Sequence, residues 1–427
     1  MTAGGRLNDS GEDWPMSFTH QDKQLVCEGV AVAEIAAQVG TPFYLYSTAK
    51  LLENFNAFRT SFVTTDATIC FAVKSCSNIA ILKLLNAAGA GADTVSGGEI
   101  RRALRAGIAP EKIIFSGLGK TRDEIAFALE SGIGQLNVES TEELEIIDRI
   151  AAARSIQARV SVRVNPDVDA GTHDKISTGR KADKFGIPWT EAWDAFQRGR
   201  TLAHLKVEGV ACHIGSQITD SKPFHDAFAK VTNLARELQA DGFALKRIDL
   251  GGGLGITYKD EDPIGISDYA ALVINHVRAL NLQLFLEPGR SVSASAGALI
   301  SAVQFIKQIE GRSFAVLDAG MNDLARPAIY GAYHEIVPVR LRDGEESYDF
   351  VGPVCESSDI FGSNRRVSTL ESGDLVAILN AGAYGAAMSS NYNTRPLPPE
   401  VLVDDDQFKT IRERQNFEEI VALERYC

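Results

Sequence analysis

Thr68-Ile69-Cys70-Phe71-Ala72-Val73-Lys74, an apolar run that ends in a lysine, is the stretch that decides the fold. The polar residues Ser75-Cys76-Ser77-Asn78 follow it. Such a run predicts a strand that is buried on both faces, as in a parallel sheet. A lysine at the carboxyl end of this strand is expected to point into a site, where burial lowers the pKa of its amine. A neutral amine can form a Schiff base with an aldehyde, whereas a lysine that extends into solvent has no such role.

The size and charge of the chain exclude several classes of protein. At 427 residues the chain exceeds the length at which one core usually stops growing, which favours two domains. Its hydrophobic content of 45% is ordinary for a soluble globular protein. A formal net charge of −13 leaves no basic excess to neutralise phosphates, so we expect no nucleic-acid partner.

The sequence contains no signal for a membrane or a metal. No run approaches the roughly twenty apolar residues of a membrane span, and Met1–Glu12 lacks the apolar core of a signal peptide. The six cysteines show no CxxC spacing, so neither a zinc site nor a disulfide framework is predicted. We therefore expect a cytoplasmic protein without a metal ion or a membrane contact, and we predict that residues 1–14 are disordered.

Alternation of short apolar runs with helical spacing predicts a (β/α)8 barrel, a TIM-like α/β fold. The predicted strands are Thr68–Lys74, Gly91–Ser96, Lys112–Leu118, Gln135–Glu139, Ala158–Asn165, Val207–Gly215, Arg247–Gly253 and Gln283–Arg290. Active sites of such barrels lie at the carboxyl ends of the strands. Polar residues at these ends include Lys74, Asp93, Ser96, Ser116, Asn137, Glu139, Arg163, Asn165, His213, Ser216, Glu287 and Arg290.

The chain changes character after residue 290, where short alternating runs predict an all-β domain, a β-sandwich or β-barrel. These runs are Ala298–Ile309, Ser313–Leu317, Glu335–Arg340, Tyr348–Val351 and Asp374–Leu379. A long helix is predicted only at Pro399–Arg425. The strand-like runs Leu25–Val32 and Phe43–Tyr46 are expected to join this domain. The predicted domains are thus 48–293 for the barrel and 15–47 plus 294–427 for the β domain.

Two loops of the predicted barrel are suited to an anion. Gly251-Gly252-Gly253-Leu254-Gly255 follows the seventh strand, and glycine backbones can approach and cradle an anion. Barrels often bind phosphate at the loops after strands seven and eight. Glu287-Pro288-Gly289-Arg290 ends the eighth strand. Its carboxylate could keep a pyridine nitrogen protonated and its guanidinium could bind a phosphate, although a structural ion pair is the alternative.

Three further segments have low specificity on their own. His213-Ile214-Gly215-Ser216-Gln217 has no second ligand at metal spacing, so its imidazole is better suited to stacking on a flat cofactor, with Ser216 as a phosphate donor. Gly352–Asp359 contains Cys355, which can carry a proton, and Glu356, which can bind an ammonium group. Asp318–Tyr330 and Ala381–Gly385 add an arginine, two tyrosines and several glycines.

Together these segments resemble the fold-type III pyridoxal-phosphate-dependent decarboxylases, and within them most closely the branch that acts on diaminopimelate. The resemblance extends from about residue 40 to 398 and depends on the shared order of many segments. The matching segments are Phe71–Lys74, Gly91–Glu99, His213–Gln217, Gly251–Gly253, Glu287–Arg290, Met321–Tyr330, Gly352–Ser357, Gly382–Gly385 and Met388–Asn393.

The resemblance implies pyridoxal 5'-phosphate as the cofactor, with Lys74 as the residue that forms the Schiff base. It implies that His213 stacks on the ring, that Glu287 pairs with the pyridine nitrogen, and that Asp93 and Arg163 support the site. The remaining implied cofactor contacts are Ser216, Gly252, Gly253, Gly289, Arg290 and Tyr384. One departure is Ser75-Cys76, where the family commonly has Ala-Asn.

The resemblance also implies the substrate contacts and the assembly. Arg326 and Tyr330 would bind a distal carboxylate and Glu356 a distal ammonium, while Arg290 and Tyr384 would also reach the substrate. Cys355 or Lys74 would return a proton to Cα. Cys355 and Glu356 would come from the partner subunit of a homodimer that shares its active sites, so the β domain would supply both substrate and dimer contacts.

The combination of a distal anion site and a distal cation site indicates meso-2,6-diaminopimelate as the substrate. Its decarboxylation yields L-lysine and CO2, the last step of lysine biosynthesis. Ornithine, arginine and lysine carry a terminal cation but no second carboxylate, so a decarboxylase of one of these is the alternative. A racemase is disfavoured because the large second domain carries the Cys355 motif. A non-catalytic regulator would be expected to lack residues such as Lys74 and Glu287, which are present.

Overall fold

The computed structural model describes residues 17–171, 178–180 and 183–425. The predicted disorder of residues 1–14 lies outside the described residues. The chain forms two compact units. One is the continuous segment Leu52–Ala294, and the other combines the described residues up to Leu51 with those from Ser295 onward.

The continuous unit is a closed barrel of eight parallel strands, which confirms the predicted fold class. Each strand pairs with the next along the chain, and the eighth pairs with the first through Leu284 and Ala67, which closes the barrel. A two-residue strand, Ile187–Pro188, adds to the fifth. The barrel strands are Ala67–Ala72, Gly91–Thr94, Ile113–Phe115, Gln135–Val138, Ala158–Asn165, Leu205–Ala211, Arg247–Asp249 and Gln283–Leu286.

All eight predicted strands are present, but most end earlier than predicted. Only Ala158–Asn165 has its predicted bounds. The first strand ends at Ala72, and Lys74 lies in the single 3-10 turn Val73–Ser75. The polar residues expected at the strand tips therefore lie mostly in the first residues of the following loops, because the strands stop pairing before the chain turns into the site.

Helices connect the barrel strands, and polar side chains fix where most of them begin. Asn78, Ser96, Thr121, Ser140 and Asp220 each accept a hydrogen bond from a backbone N–H at the start of the next helix. These caps set the length of the loops at the catalytic end of the barrel. The helices are Thr48–Ser61, Ile79–Ala87, Gly97–Arg105, Arg122–Glu130, Thr141–Ala153, Ala192–Thr201, Ser221–Ala240, Ile266–Val277 and Arg290–Ser293.

The second unit is built on a β-sheet that draws strands from both ends of the chain. Phe43–Ser47 lies between Gly297–Ile309, to which it is antiparallel, and Glu400–Asp404, to which it is parallel. The other strands of this sheet are Arg312–Leu317, Ile336–Pro338, Glu345–Val351, Ile360–Ser368, Leu375–Ile378 and Gln407–Arg412. A separate three-stranded sheet contains Phe18–Gln21, Gln24–Cys27 and Val30–Ala31.

The α-helices among the described residues of this unit are few and short. They are Val32–Val39, Arg326–Tyr330 and Phe417–Val421. No helix in the described part of the chain is both long enough and apolar enough to cross a membrane.

The predicted helix at Pro399–Arg425 is wrong. Glu400–Asp404 and Gln407–Arg412 form a β-hairpin, and only Phe417–Val421 is helical. Asp405 adopts a positive φ of 56° in the tight turn, which an aspartate tolerates better than most residues. Apolar residues of the first strand, such as Val401 and Val403, are fully buried, so packing on the sheet outweighs the helical preference of the charged residues nearby.

Candidate active site

Lys74 lies at the carboxyl end of the barrel, held by a buried carboxylate. Its Nζ donates to Asp93 Oδ2 over 2.8 Å, and Asp93 lies in the neighbouring strand. The Asp93 side chain is 0% exposed, whereas that of Lys74 is 33% exposed, so the expected burial of the amine is only partial. Asp93 Oδ1 is buried and has no hydrogen-bond partner among the described residues. The ion pair with Lys74 therefore offsets the cost of burying this carboxylate.

A cavity of about 170 Å³ opens beside Lys74. Its lining comes from strand ends and loops around the barrel, so it lies where barrel enzymes place their sites. The lining residues are Lys74, Val95, Ser116, Gly117, Asn137, Arg163, Thr178, Phe185, Cys212, His213 and Glu287. Four of the predicted site residues, Lys74, Arg163, His213 and Glu287, thus line this cavity, and a fifth, Asp93, contacts Lys74.

His213 presents a neutral ring to the cavity. Its Nδ1 accepts a hydrogen bond from the backbone N–H of Gly252 over 3.1 Å, which leaves the ring proton on Nε2. Burial, followed by the charges of Lys74 and Arg163, lowers the pKa of His213 well below its usual value. A flat uncharged imidazole in this position suits stacking on an aromatic ring.

The glycine loop packs too closely for any side chain. A Cβ at Gly252 would lie 2.1 Å from the carbonyl oxygen of Glu287, and Gly253 has a φ of +109°. Backbone hydrogen bonds from Ile218 to Gly253, and from Gly255 back to Ile218, join this loop to the one after the sixth strand. The backbone is therefore held at the wall of the site, as close approach to a phosphate requires.

Arg290 lies beside these loops and is oriented by two hydroxyl groups. Its Nη1 donates to the Tyr258 hydroxyl over 2.8 Å, and its Nη2 donates to Ser216 Oγ over 3.0 Å. A buried guanidinium, a hydroxyl and a glycine backbone form a set suited to an anion. Tyr258 was not predicted, because a tyrosine between a glycine loop and a helix has no distinguishing sequence pattern.

Glu287 is buried and takes part in a network with a second carboxyl group. Ser116 Oγ donates to its Oε1 over 3.4 Å, and its side chain shares a hydrogen bond with Asp249. Burial, followed by the charges of Asp249 and Asp93, raises the pKa of Glu287 well above its usual value. Asp249 was not predicted as a site residue, although a charged residue in the short strand directly before the glycine loop is a usable signal.

Arg163 is fixed by Glu139, a residue to which the sequence assigned no role. Arg163 Nη1 donates to Glu139 Oε1 over 2.7 Å. The same carboxylate accepts from the backbone of Gly117 over 2.9 Å and of Gly186 over 3.0 Å. The Arg163 guanidinium lies 5.4 Å from the centre of the Phe185 ring. Glu139 therefore ties two loops and a cation together at the edge of the cavity.

Ser75 and Cys76, where the resembling family commonly has Ala-Asn, pack beneath the site. Ser75 Oγ donates to the carbonyl oxygen of Ala72 over 2.8 Å, so its hydroxyl is satisfied locally. A Cβ at Gly289 would lie 3.1 Å from this same Oγ, which shows how closely the two segments pack. Cys76 is buried. The position of Gly289 thus depends on a small residue at position 75.

In the second unit, Arg326 is buried and has a neutral neighbour. The His334 Nδ1–H donates to the carbonyl oxygen of Leu379 over 2.8 Å, because a carbonyl can only accept. His334 Nε2 is then the acceptor for Arg326 Nη1, also over 2.8 Å. Tyr330 lies one turn further along the same short helix and is half-buried. The orientation of the guanidinium is therefore set by the tautomer of His334.

The segments that contain Cys355 and Met321 are tied together by Asp359. Its buried carboxylate accepts from the backbone of Met321 and of Val354, each over 2.7 Å. Cys355 and Glu356 are exposed in this turn, and the Tyr392 hydroxyl donates to Glu356 Oε1 over 2.6 Å. A single buried aspartate thus holds the turn that presents both side chains.

Tyr384 is in a strained backbone conformation. Its φ is 58°, in the left-handed region that a bulky residue seldom adopts. The neighbouring Gly385 could not carry a side chain, since a Cβ there would lie 2.3 Å from the carbonyl oxygen of Ala381. Such strain is often found at functional sites. The predicted roles of Arg326, Tyr330, Cys355, Glu356 and Tyr384 stay predictions.

Comparison with known proteins identifies the family. The sequence profile described as pyridoxal-dependent decarboxylase, pyridoxal binding domain, matches residues 48–294. A diaminopimelate decarboxylase of Haemophilus influenzae is 48% identical over 410 residues, which cover 95% of this chain and 99% of that protein. The chain belongs to the diaminopimelate decarboxylase family. This membership confirms the resemblance seen in the sequence, and the pyridoxal dependence of the family confirms the predicted cofactor.

Solved structures of the diaminopimelate decarboxylase family match the whole fold. The diaminopimelate decarboxylase of Helicobacter pylori complexed with L-lysine is 43% identical, with a TM-score of 0.89 over 92% of this chain and 98% of that chain. The M. jannaschii enzyme in co-complex with L-lysine is 37% identical, with a TM-score of 0.92 over 96% of this chain and 98% of that chain.

The residues at the cavity fit pyridoxal phosphate. A primary amine, a flat neutral ring and a buried acid surround one cavity, and the glycine loops lie close to Arg290. Lys74→Ala should therefore abolish covalent attachment of the cofactor. Borohydride reduction, digestion and peptide mass mapping measure this, with the exposed Lys83→Ala as a matched control that should still be labelled. Label on another lysine of the natural protein would contradict the assignment of Lys74.

Proposed function

We propose that this protein decarboxylates meso-2,6-diaminopimelate to L-lysine and CO2, as a pyridoxal-phosphate-dependent carboxy-lyase of lysine biosynthesis. The observation that carries the proposal is the near full-length similarity to diaminopimelate decarboxylases together with the cavity beside Lys74. A fold alone would not support a reaction, since one fold hosts many activities. Here the residues that would hold the cofactor are all present.

The cofactor would be held by side chains from around the barrel mouth. Lys74 would hold its aldehyde carbon, His213 would cover one face of its ring, and Glu287 would hydrogen-bond its pyridine nitrogen. Asp93 and Arg163 would support these groups. Its phosphate would be bound by Ser216, Gly252, Gly253, Gly289 and Arg290, with Tyr384 as a further contact. When bound, pyridoxal phosphate supplies an electron sink for the electron pair that remains on Cα when CO2 departs.

The protein must then return one proton to Cα of the product. Cys355 Sγ–H is the favoured donor, which would leave a thiolate, and the Lys74 amine is the other candidate. The exposed position of Cys355 in its own unit agrees with a thiol that acts on a molecule outside that unit.

Recognition of the far end of the substrate would require opposite charges. Meso-diaminopimelate carries an ammonium and a carboxylate at each end. Arg326 and Tyr330 would bind the distal carboxylate, Glu356 would bind the distal ammonium, and Arg290 and Tyr384 would contact the reacting end. A guanidinium that is oriented before the substrate arrives binds with less loss of entropy, and the His334 contact provides such orientation.

A parallel substrate assay tests the proposed function. The purified protein with pyridoxal phosphate is offered meso-diaminopimelate, ornithine and arginine, and CO2 and amine products are measured. We expect CO2 and L-lysine from meso-diaminopimelate alone. Release of CO2 from ornithine or arginine would favour another basic amino-acid decarboxylase. Cofactor binding without any turnover would favour a non-catalytic role.

Arg326→Ala should reduce turnover of diaminopimelate much more than cofactor binding. Loss of a buried charge partner of the substrate should lower kcat/KM by about 30-fold, which corresponds to about 2 kcal/mol of transition-state binding. Steady-state kinetics and the absorbance of the bound cofactor give the two readouts. The control Arg366→Ala removes an exposed arginine of the same unit, which pairs with Glu345, and should be nearly silent. Equal kinetics for both variants would contradict the role of Arg326.

The active site would be shared between two subunits of a homodimer, with Cys355 and Glu356 entering the site of the partner. Mixed dimers of Lys74→Ala and Cys355→Ala subunits should then regain activity, because one of the two sites would contain both residues. Subunits with different affinity tags allow the heterodimers to be purified before assay. No recovery in such heterodimers would place the whole site within one chain. The cytoplasmic location stays a prediction.

A further inference from the structure

We propose that Asp249 is a positioning residue of the cofactor site. It holds Glu287 and the glycine loop in place, and it shares a proton with Glu287 before the cofactor binds. The inference rests on the proposed pairing of Glu287 with the pyridine nitrogen. It concerns a residue that lies below the cavity and does not line it.

Asp249 fixes the glycine loop from below. Its Oδ1 accepts from the backbone N–H of Gly251 over 3.0 Å. The carbonyl oxygen of Gly251 in turn accepts from the backbone N–H of Glu287 over 2.7 Å. Gly251 has a φ of +67°, so the turn at this residue is one that a glycine makes without strain. One carboxylate therefore sets the backbone positions of both the loop and Glu287.

Asp249 is also part of a closed ring of side chains. Its Oδ2 accepts from Asn137 Nδ2 over 3.0 Å and from Gln135 Nε2 over 3.3 Å. Asn137 Nδ2 also donates to Ser116 Oγ over 3.0 Å, and Ser116 Oγ donates to Glu287 Oε1. The hydrogen bond between Glu287 and Asp249 closes the ring. Side chains from the third and fourth strands and from the seventh and eighth, which lie across the barrel from each other, thus determine where the Glu287 carboxyl lies.

A hydrogen bond between two carboxyl groups requires a proton. Ionised carboxylates only accept, so one member of the Asp249–Glu287 pair must be protonated. Burial raises the pKa of Asp249 to about 6. Burial, followed by the charge of Asp249, raises the pKa of Glu287 well above its usual value. The other ionisable groups around the pair are Asp93, Lys74, Cys70, Cys212 and Tyr269.

The balance of these neighbours keeps one proton on the pair near neutral pH. Asp93 opposes a second negative charge, whereas Lys74 favours it and is already paired with Asp93. Burial raises the pKa of the Cys70 and Cys212 thiols and of the Tyr269 hydroxyl, so all three stay neutral. A pyridine nitrogen that approaches Glu287 therefore meets a carboxyl that already carries the proton it needs, and no proton from solvent is required.

The test is titration of the full-length protein, freed of cofactor, with pyridoxal phosphate. Calorimetry at pH 8 in two buffers of different ionisation enthalpy gives both the Kd and the number of protons taken up. Asp249→Asn should weaken binding about 10- to 100-fold, as loss of a supporting contact typically does. It should also take up more protons per site than the natural protein, because loss of the Asp249 charge lowers the pKa of Glu287 and leaves less of this carboxyl protonated before the cofactor binds.

Two further variants separate positioning from the proton. Asn137→Ala breaks the ring but keeps both carboxyl groups, so it should weaken binding without a change in proton uptake. Glu208→Gln removes a buried carboxyl that pairs with Lys246 elsewhere in the barrel, and should change neither quantity. An unchanged Kd and an equal proton count for Asp249→Asn would overturn the inference.

Glu287→Gln distinguishes this inference from the proposed function. If Glu287→Gln weakens binding and Asp249→Asn does not, the inference alone fails. If neither weakens it, the pairing of Glu287 with the cofactor fails as well. Circular dichroism shows whether Asp249→Asn folds. If it does not fold, the Asn137→Ala variant decides, and an unchanged Kd for that variant would overturn the positioning role.

Discussion

The burial of three carboxyl groups, Asp93, Asp249 and Glu287, at the mouth of one barrel is the constraint on which the rest of the site depends. A carboxylate removed from water costs several kcal/mol unless it is paired, hydrogen-bonded or protonated. Asp93 has the ammonium of Lys74, Asp249 has backbone and amide donors, and Glu287 is the group most disposed to hold a proton. Three chemically similar groups therefore have different surroundings, which is how enzyme sites give like residues separate roles.

Closure of the barrel is what allows these surroundings to be built. His213 and Gly252 are distant in sequence but meet because the sixth and seventh strands are neighbours. Arg290 and Ser216 follow the eighth and the sixth strand, which are not adjacent, and they are joined by loops at the same end. In the second unit, Asp359 and His334 have the corresponding task, since each fixes a segment whose side chains are assigned to the substrate. In both units, buried polar residues without a proposed ligand contact hold in place the residues that are proposed to bind cofactor or substrate.

The parts of the fold that follow from local pattern were predictable from the sequence, and those that follow from packing were not. The eight buried runs predicted the barrel, and motif order predicted the family. The sequence predicts a helix where the structure has the Glu400–Arg412 hairpin, because its turn and flanks are charged and its first strand is set by pairing with the distant Phe43–Ser47. Strand Ile360–Ser368 was missed, since much of it is polar and exposed. Asp249 and Tyr258 were missed for another reason: their partners are distant in sequence.

In the sequence, the barrel segment is inserted between the two segments of the second unit, and this order affects how the chain folds during synthesis. Phe43 pairs with Ile300, and the same strand pairs with Glu400–Asp404, so this sheet joins segments separated by roughly 250 residues or more. The barrel, in contrast, is one uninterrupted segment that emerges from the ribosome before the second unit is complete. During synthesis, Phe43–Ser47 therefore has no partner strands while the barrel folds. Four of its five residues are aromatic or aliphatic, so the nascent chain carries an unpaired apolar strand that is covered only when the segments from Gly297 onward have been made.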